Sequence, residues 1–205
     1  MLTIALPKGR LGNKVYQLFS DIGYACKAME KDDRRLIIVD EENDISYLWV
    51  KPSDVAVYVE HGAADIGVVG KDVLLEGGNA VYELLDLGFG KCTMAEAAPV
   101  GYVENMQRPL RVATKYPNIT RNFYGTQSRE IEIIKLNGSI EIAPLIGLSD
   151  VIVDIVETGS TLKQNNLAVT HTFLSISARL IANQACMRFK GERVENIVGK
   201  IKGHL

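Results

Sequence analysis

No two of the three cysteines, Cys26, Cys92 and Cys186, stand in a C-x-x-C pair, and their number is odd. That spacing supplies neither a disulfide framework nor a zinc-ligand set, and it suits a reducing, cytoplasmic setting. His61, His171 and His204 add no metal-ligand spacing, and His171, in an alternating segment, reads as structural. No apolar run reaches the about 18 residues of a membrane-spanning helix. In "MLTIALPKGRLG" a proline and two basic residues interrupt the first apolar run before a signal-peptide core can form, which argues against export. An excess of either charge is missing too. With 23 Lys and Arg against 25 Asp and Glu, a formal net charge of -2 gives no bulk field for nucleic acid or an anionic membrane, so an anionic ligand must be held by local groups. Walker A, G-x-G-x-x-G and G-x-S-x-G are absent, and Cys92 has no recognisable His partner, which removes the standard nucleotide fingerprints and nucleophilic hydrolase chemistry.

Apolar material is plentiful: 47% hydrophobic residues in a chain of 205 suffice for one or two cores without covalent staples. Short apolar runs alternate with helix-period segments, as in α/β proteins. "LTIAL" predicts a buried strand, and after "PKGRLG" Val15, Leu18, Phe19 and Ile22 recur at helical spacing up to a stop at Gly23. "RRLIIVD" and "YLWV" predict strands, "SDVAVYVEHG" a helix capped by Ser53 and ended at Gly62, and "ADIGVVG" another strand. Further on, "CTMAEAAPV", "RVATKYP" and "IEIIKL" read as strands, "ITRNFYGTQ" as a helix, and a basic C-terminal helix begins near Gln184. The glycines of "DLGFGKC" mark a boundary, and the chain returns to the first unit after about Leu167. The expected fold is α/β with two lobes and a central cleft: a discontinuous lobe of residues 1–90 plus 168–205, and a second lobe of residues 91–167.

The most informative segment is "VIVDIVETGSTL". Its apolar run from Val151 to Val156 delivers Glu157, Thr158, Gly159, Ser160 and Thr161 to the carboxyl end of a strand, where α/β proteins bind ligands. Small residues let main-chain amides approach a phosphate, three hydroxyls add donors, and a helix N-terminus adds a favourable dipole. Asp154 and Glu157 suit the two hydroxyls of a ribose. The plainer alternative is an ordinary strand-to-helix turn with Thr158 or Ser160 as its cap. Lys8 and Arg10, around Gly9, sit on another turn after a strand and suit polyphosphate; Arg34, Arg35 and Lys51 are further cations, each with surface solvation as the alternative. The glycine-rich surroundings of Asp65 leave room for a ring or a phosphate, or simply for a tight turn. Tyr116, beside Lys115, either stacks on adenine or edges the core.

Along nearly the whole chain, "ALPKGRL", "PSDVAVYVEHGAADIGVVGKDVLLE", "LLDLGFGKC", "RVATKYPNIT" and "IKLNGSIEIAPLIGLSDVIVDIVETGSTL" resemble the ATP phosphoribosyltransferase family, in its short, catalytic-core form. The resemblance implies a fold like type II periplasmic binding proteins and the first step of histidine biosynthesis: ATP and phosphoribosyl pyrophosphate give N1-phosphoribosyl-ATP and pyrophosphate, with substrate-bound Mg²⁺ and no protein-held metal. It implies that Asp154 and Glu157 hold the ribose and that Thr158, Gly159, Ser160, Thr161 and Leu162 wrap its 5′-phosphate. Lys8, Gly9 and Arg10 would face the triphosphate or pyrophosphate, Asp65, Gly67 and Tyr116 the nucleotide, and Glu141 the substrate cleft. Similar sequences carry Arg before "PSDV" where this chain has Lys51, which keeps the charge but loses the bidentate fork. Lys51 and Arg34 are thus the candidates for stabilising the departing pyrophosphate. Short forms also resemble one another in pairing with a regulatory subunit similar to histidyl-tRNA synthetase, as a hetero-octamer. The alternatives are a non-catalytic two-lobed solute-binding module, against which the lack of a secretion signal counts, and a phosphoribosyltransferase acting on a smaller base.

Overall fold

The computed structural model describes residues 1–30 and 35–205. Along the chain run β1 (Leu2–Pro7), α1 (Arg10–Phe19), β2 (Ile37–Asp40), β3 (Ile45–Val50), α2 (Val55–Glu60), β4 (Ile66–Gly70), α3 (Lys71–Gly77) and β5 (Tyr82–Asp86). Next come β6 (Cys92–Pro99), β7 (Leu110–Thr114), α4 (Pro117–Gly125), β8 (Ile131–Lys135), α5 (Ile142–Leu145), β9 (Val151–Val156), α6 (Ser160–Gln164) and β10 (Leu167–Ile176). Then β11 (Ala178–Ala182), α7 (Gln184–Phe189) and α8 (Gly191–His204) end the chain.

These elements form two units, Met1–Gly90 with Ser177–Leu205, and Lys91–Ile176. The return to the first unit falls at Ser177 rather than at residue 168, for a physical reason. β10 runs antiparallel to β6 from Leu167 opposite Pro99 to Ile176 opposite Cys92, and that ladder keeps residues 168–176 in the second unit.

In the first unit the strand order is β2-β3-β1-β4-β11-β5. β3, β1 and β4 are parallel, so their carboxyl ends share one edge. The predicted helical spacing of α1 puts Val15, Leu18 and Phe19 on one face of this sheet, where Val194, Ile197 and Ile201 of α8 join them against Leu2, Ile4, Leu6, Ile66 and Val68. α2 covers the other face through Val55, Ala56 and Val59 against Ala5, Val69 and Ile181. Ser53 is not the cap of α2: Pro52, at the first position of a 3-10 turn (Pro52–Asp54) that runs into the helix, starts it without needing an N–H there. Gly62, at φ 72°, ends it as expected. The C-terminal helix is two helices, because Lys190 between them has a non-helical φ of -129°. The side chain of Asn183 caps α7, accepting from the N–H groups of Ala185 and Cys186.

In the second unit the order is β10-β6-β9-β7-β8, with β9, β7 and β8 parallel. α4 packs Ile119 and Tyr124 against Met94, Val112, Val151 and Val153 on one face. Ala143 of α5 and Leu162 of α6 pack against Ala97, Ala113 and Ile152 on the other.

Candidate active site

β9 is buried over Val151, Ile152 and Val153 and becomes half-buried from Asp154 onward, so its carboxyl end emerges from the sheet carrying both acids. Asp154 is steadied locally, its Oδ1 accepting the N–H of Ile155 at 2.8 Å. Gly159 then turns the chain into α6 with φ 72° and ψ 5°, the left-handed region that glycine enters at least cost. Thr158 Oγ1 lies 3.0 Å from Ser160 Oγ, which gathers two hydroxyls at the loop. Of the first-turn N–H groups of α6, that of Ser160 reaches Thr158 Oγ1 at 3.4 Å, and those of Thr161 and Leu162 have no acceptor within the helix. At five residues α6 is too short to carry much of a macrodipole, so these amides and hydroxyls, rather than the dipole, supply the donors of the loop.

The loop forms one wall of a cavity of about 330 Å³ lined by Asp154, Glu157, Thr158, Gly159, Ser160, Thr161 and Leu162, with Glu141 beside them. Glu141 stands at the N-cap of α5, on the α6 side of the sheet. Two residues that the sequence reading passes over complete the floor. Ala95 and Ala97 of β6 line the cavity, and in the antiparallel ladder they stand opposite Asp154 and Ile152. Their small side chains leave the volume open, and the signal was the alternation of alanine at these two positions in "CTMAEAAP".

Among the first-unit candidates, the structure brings Lys8, Gly9, Arg10 and Lys51 together. Pro7 pairs with Val50, and the Lys8 N–H donates to the Val50 carbonyl at 2.8 Å, which seats Lys8 beside the residue that follows Val50, Lys51. Gly9 makes the turn at φ 97° and ψ -162°, a region essentially closed to other residues. Gly12 lets α1 rest on the strand end: a Cβ there would overlap the Pro7 carbonyl oxygen and crowd the Trp49 ring. Lys8, Arg10 and Lys51 are exposed. Arg34 lies outside the described residues.

Three candidates are placed otherwise. Asp65 precedes β4 at the opposite end of β1 from Lys8, roughly 17 Å away at ~3.3 Å per strand residue. There its Oδ2 accepts the Thr3 N–H at 2.8 Å and pairs with Lys190 Nζ at 2.7 Å. Burial and this carboxylate push the nearby Cys186 thiol up to about 11, which keeps it protonated and inert. Gly67 is buried in β4, and a Cβ would lie 2.9 Å from both Val55 and Val59, so its smallness serves the packing of α2. The Tyr116 ring is 6% exposed within the core of the second unit and has no free face for adenine. Among the described residues no group of three or more His, Cys, Asp or Glu side chains is spaced to hold a metal ion. No helix among them is long and apolar enough to cross a membrane.

The sequence profile of a family described as ATP phosphoribosyltransferase matches residues 51–203. An ATP phosphoribosyltransferase of Brachyspira hyodysenteriae is 56% identical over 203 residues, 98% of this chain and 98% of that protein. One of Clostridioides difficile is 52% identical over 198 residues, 96% and 95% of the respective chains. Among solved structures, a chain of the ATP phosphoribosyl transferase (HisG:HisZ) complex from Thermotoga maritima superposes with a TM-score of 0.87 at 35% identity, over 99% of this chain and 98% of that one. The alkanesulfonate-binding protein SsuA from Xanthomonas axonopodis superposes at 0.60 with 13% identity, over 98% of this chain and 71% of that one. At that identity the likeness is one of fold, that of a periplasmic binding protein.

Proposed function

The chain belongs to the ATP phosphoribosyltransferase family, and from that membership we propose that it joins N1 of the adenine ring of ATP to C1 of phosphoribosyl pyrophosphate, opening histidine biosynthesis. The observation that carries the reading is the loop of residues 157–162, whose amides and hydroxyls line the same cavity as the two acids. A terminal phosphate accepts from Thr158, Gly159, Ser160, Thr161 and Leu162, while Asp154 and Glu157 accept from the ribose hydroxyls. A volume of about 330 Å³ is of the size that small-molecule pockets have. Glu141 borders the sugar side.

The attack inverts C1 and passes through an oxocarbenium-like transition state. Neutral adenine already presents a lone pair at N1, so no general base is needed. The barrier lies in the charge that grows on the departing pyrophosphate, which enters with its Mg²⁺ as part of the substrate. Lys8, Arg10 and Lys51, all exposed, are the cations assigned to polyphosphate oxygens, and stabilising that growing charge is the main electrostatic lever on such a step. Arg34 remains a candidate for the same task from its sequence context. The name of the Thermotoga maritima complex supports a second, regulatory chain for this one as well, which we take to resemble histidyl-tRNA synthetase within a hetero-octamer. Three cysteines outside any disulfide fit a cytoplasmic enzyme.

Mixing the purified chain with ATP, phosphoribosyl pyrophosphate and magnesium, with and without the regulatory subunit, should change the ultraviolet absorbance of the adenine ring. A solute-binding module would bind ligand with no such change. In the same assay Lys51→Ala should lower kcat by about 2 kcal/mol of barrier, less than a lost preorganised donor costs because Lys51 is solvated and lacks a fork. An unaltered kcat would remove Lys51 from catalysis.

A further inference from the structure

β7 pairs with β9 only as far as Thr114, opposite Val153, and then leaves the sheet for α4. At this last pair the Thr114 side chain adds its own bond to β9. Its hydroxyl, fully buried, donates to the Val153 carbonyl at 2.7 Å and accepts the Tyr116 N–H at 2.9 Å. Thr120, equally buried, closes the group: its hydroxyl donates to the Tyr116 carbonyl at 2.7 Å and lies 3.3 Å from Thr114 Oγ1. On the opposite flank of β9, the Thr93 hydroxyl donates to the Val156 carbonyl at 3.2 Å.

The two carbonyls are not arbitrary points on the strand. The Val153 carbonyl belongs to the peptide that carries the nitrogen of Asp154, and the Val156 carbonyl to the peptide that carries the nitrogen of Glu157. Peptide planarity passes any tilt of either carbonyl directly to the Cα of the acid that follows. A buried hydroxyl costs free energy unless bonded, and valine would fill the same volume at Thr114, as it does at Val112 on the same strand.

We propose that Thr114 and Thr93 are positioning residues, clamping the carboxyl end of β9 from its two neighbouring strands so that Asp154 and Glu157 meet the ribose hydroxyls of phosphoribosyl pyrophosphate. The proposal rests on the assignment of those two acids to the sugar. Small displacements at a reacting centre are costly to rate and binding, and here the displacement would be confined to one substrate.

Steady-state kinetics and thermal melts of Thr114→Val, Thr114→Ser, Thr120→Val, Thr93→Val and Asp154→Asn test it. Thr114→Val should raise the KM for phosphoribosyl pyrophosphate about tenfold with the KM for ATP unmoved, and Thr114→Ser should restore it. Thr120→Val leaves the Thr114–Val153 bond in place and should lower the melting temperature without altering either KM. A Thr114→Val protein that melts lower but keeps its KM values would make the hydroxyl purely structural and overturn the proposal. If that variant does not fold, the half-buried Thr93→Val decides: a rise of about threefold for phosphoribosyl pyrophosphate alone supports the clamp, and no change rejects it. Asp154→Asn separates the two ideas. If it leaves the KM for phosphoribosyl pyrophosphate unchanged, the sugar assignment itself is wrong, whatever Thr114→Val does.

Discussion

Gly159→Val should raise the KM for phosphoribosyl pyrophosphate a hundredfold or more, an effect of about 3 to 6 kcal/mol if two hydrogen bonds to a charged group are lost, while the KM for ATP stays near its original value. The reason is conformational. Gly159 holds φ 72° and ψ 5°, where a β-branched residue is strained, and the relaxed backbone would swing the amides of the first turn of α6 away from a common focus. The fold itself should survive, because a Cβ at this position would meet nothing nearer than Val156 Cγ1 at 3.8 Å. Steady-state kinetics with each substrate varied in turn checks the result. Equal weakening of both would show that the loop does not serve the sugar phosphate alone.

The second large effect concerns stability. Asp150 directly precedes β9 at the end opposite the loop, and two arginines converge on it. Arg108 donates to its two oxygens at 2.6 and 2.8 Å, and Arg111 donates at 2.8 Å from its guanidinium and at 3.0 Å from its backbone N–H. Asp150→Ala should cost about 3 kcal/mol, the low end for breaking a buried ion pair, because the arginine side chains keep 43% and 34% of their exposure and rehydrate. For a chain of this size that corresponds to a melting temperature lower by about 6 to 12 °C. The Arg108 guanidinium, with Arg111 adding to it against the effect of burial, holds the Asp150 carboxyl well below its ordinary 3.8. A proton therefore binds the unfolded chain more readily. The stabilisation is complete above pH 3.8 and shrinks as pH falls below it toward the lower folded value, so original and variant should converge in acid. Calorimetric melts at neutral pH and in acid measure this, and equal melting temperatures at neutral pH would sink it.

Much of this architecture is readable from local pattern. Strands such as β1 and β9 are apolar apart from Thr3 and Asp154, and the end of β9 with the loop after it carries acids, hydroxyls and glycine within one stretch of chain, so a single reading finds them together. What escapes are features defined by partners remote in sequence. Ala95 and Ala97 matter only through their register with β9. Asp65, set among glycines, looks like a binding loop until its partners Thr3 and Lys190 are known. Tyr116 looks like a stacking platform because sequence does not say which way a ring points. α3 is also hidden, starting directly at the end of β4 with no intervening turn residues, and the half-exposed "YELLD" of β5 lacks the apolar density that marks the other strands.

The split composition of the first unit has a consequence for synthesis on the ribosome. Residues 91–176 form a continuous stretch and can close their own sheet as soon as they emerge, whereas β11, which stands between β4 and β5, is made only after them. Until then the nascent chain carries β4 with one bare flank and an unfilled apolar layer awaiting α8, so the unit begun first is finished second, and its open strand edge is the place where wrong pairing can start in the interval.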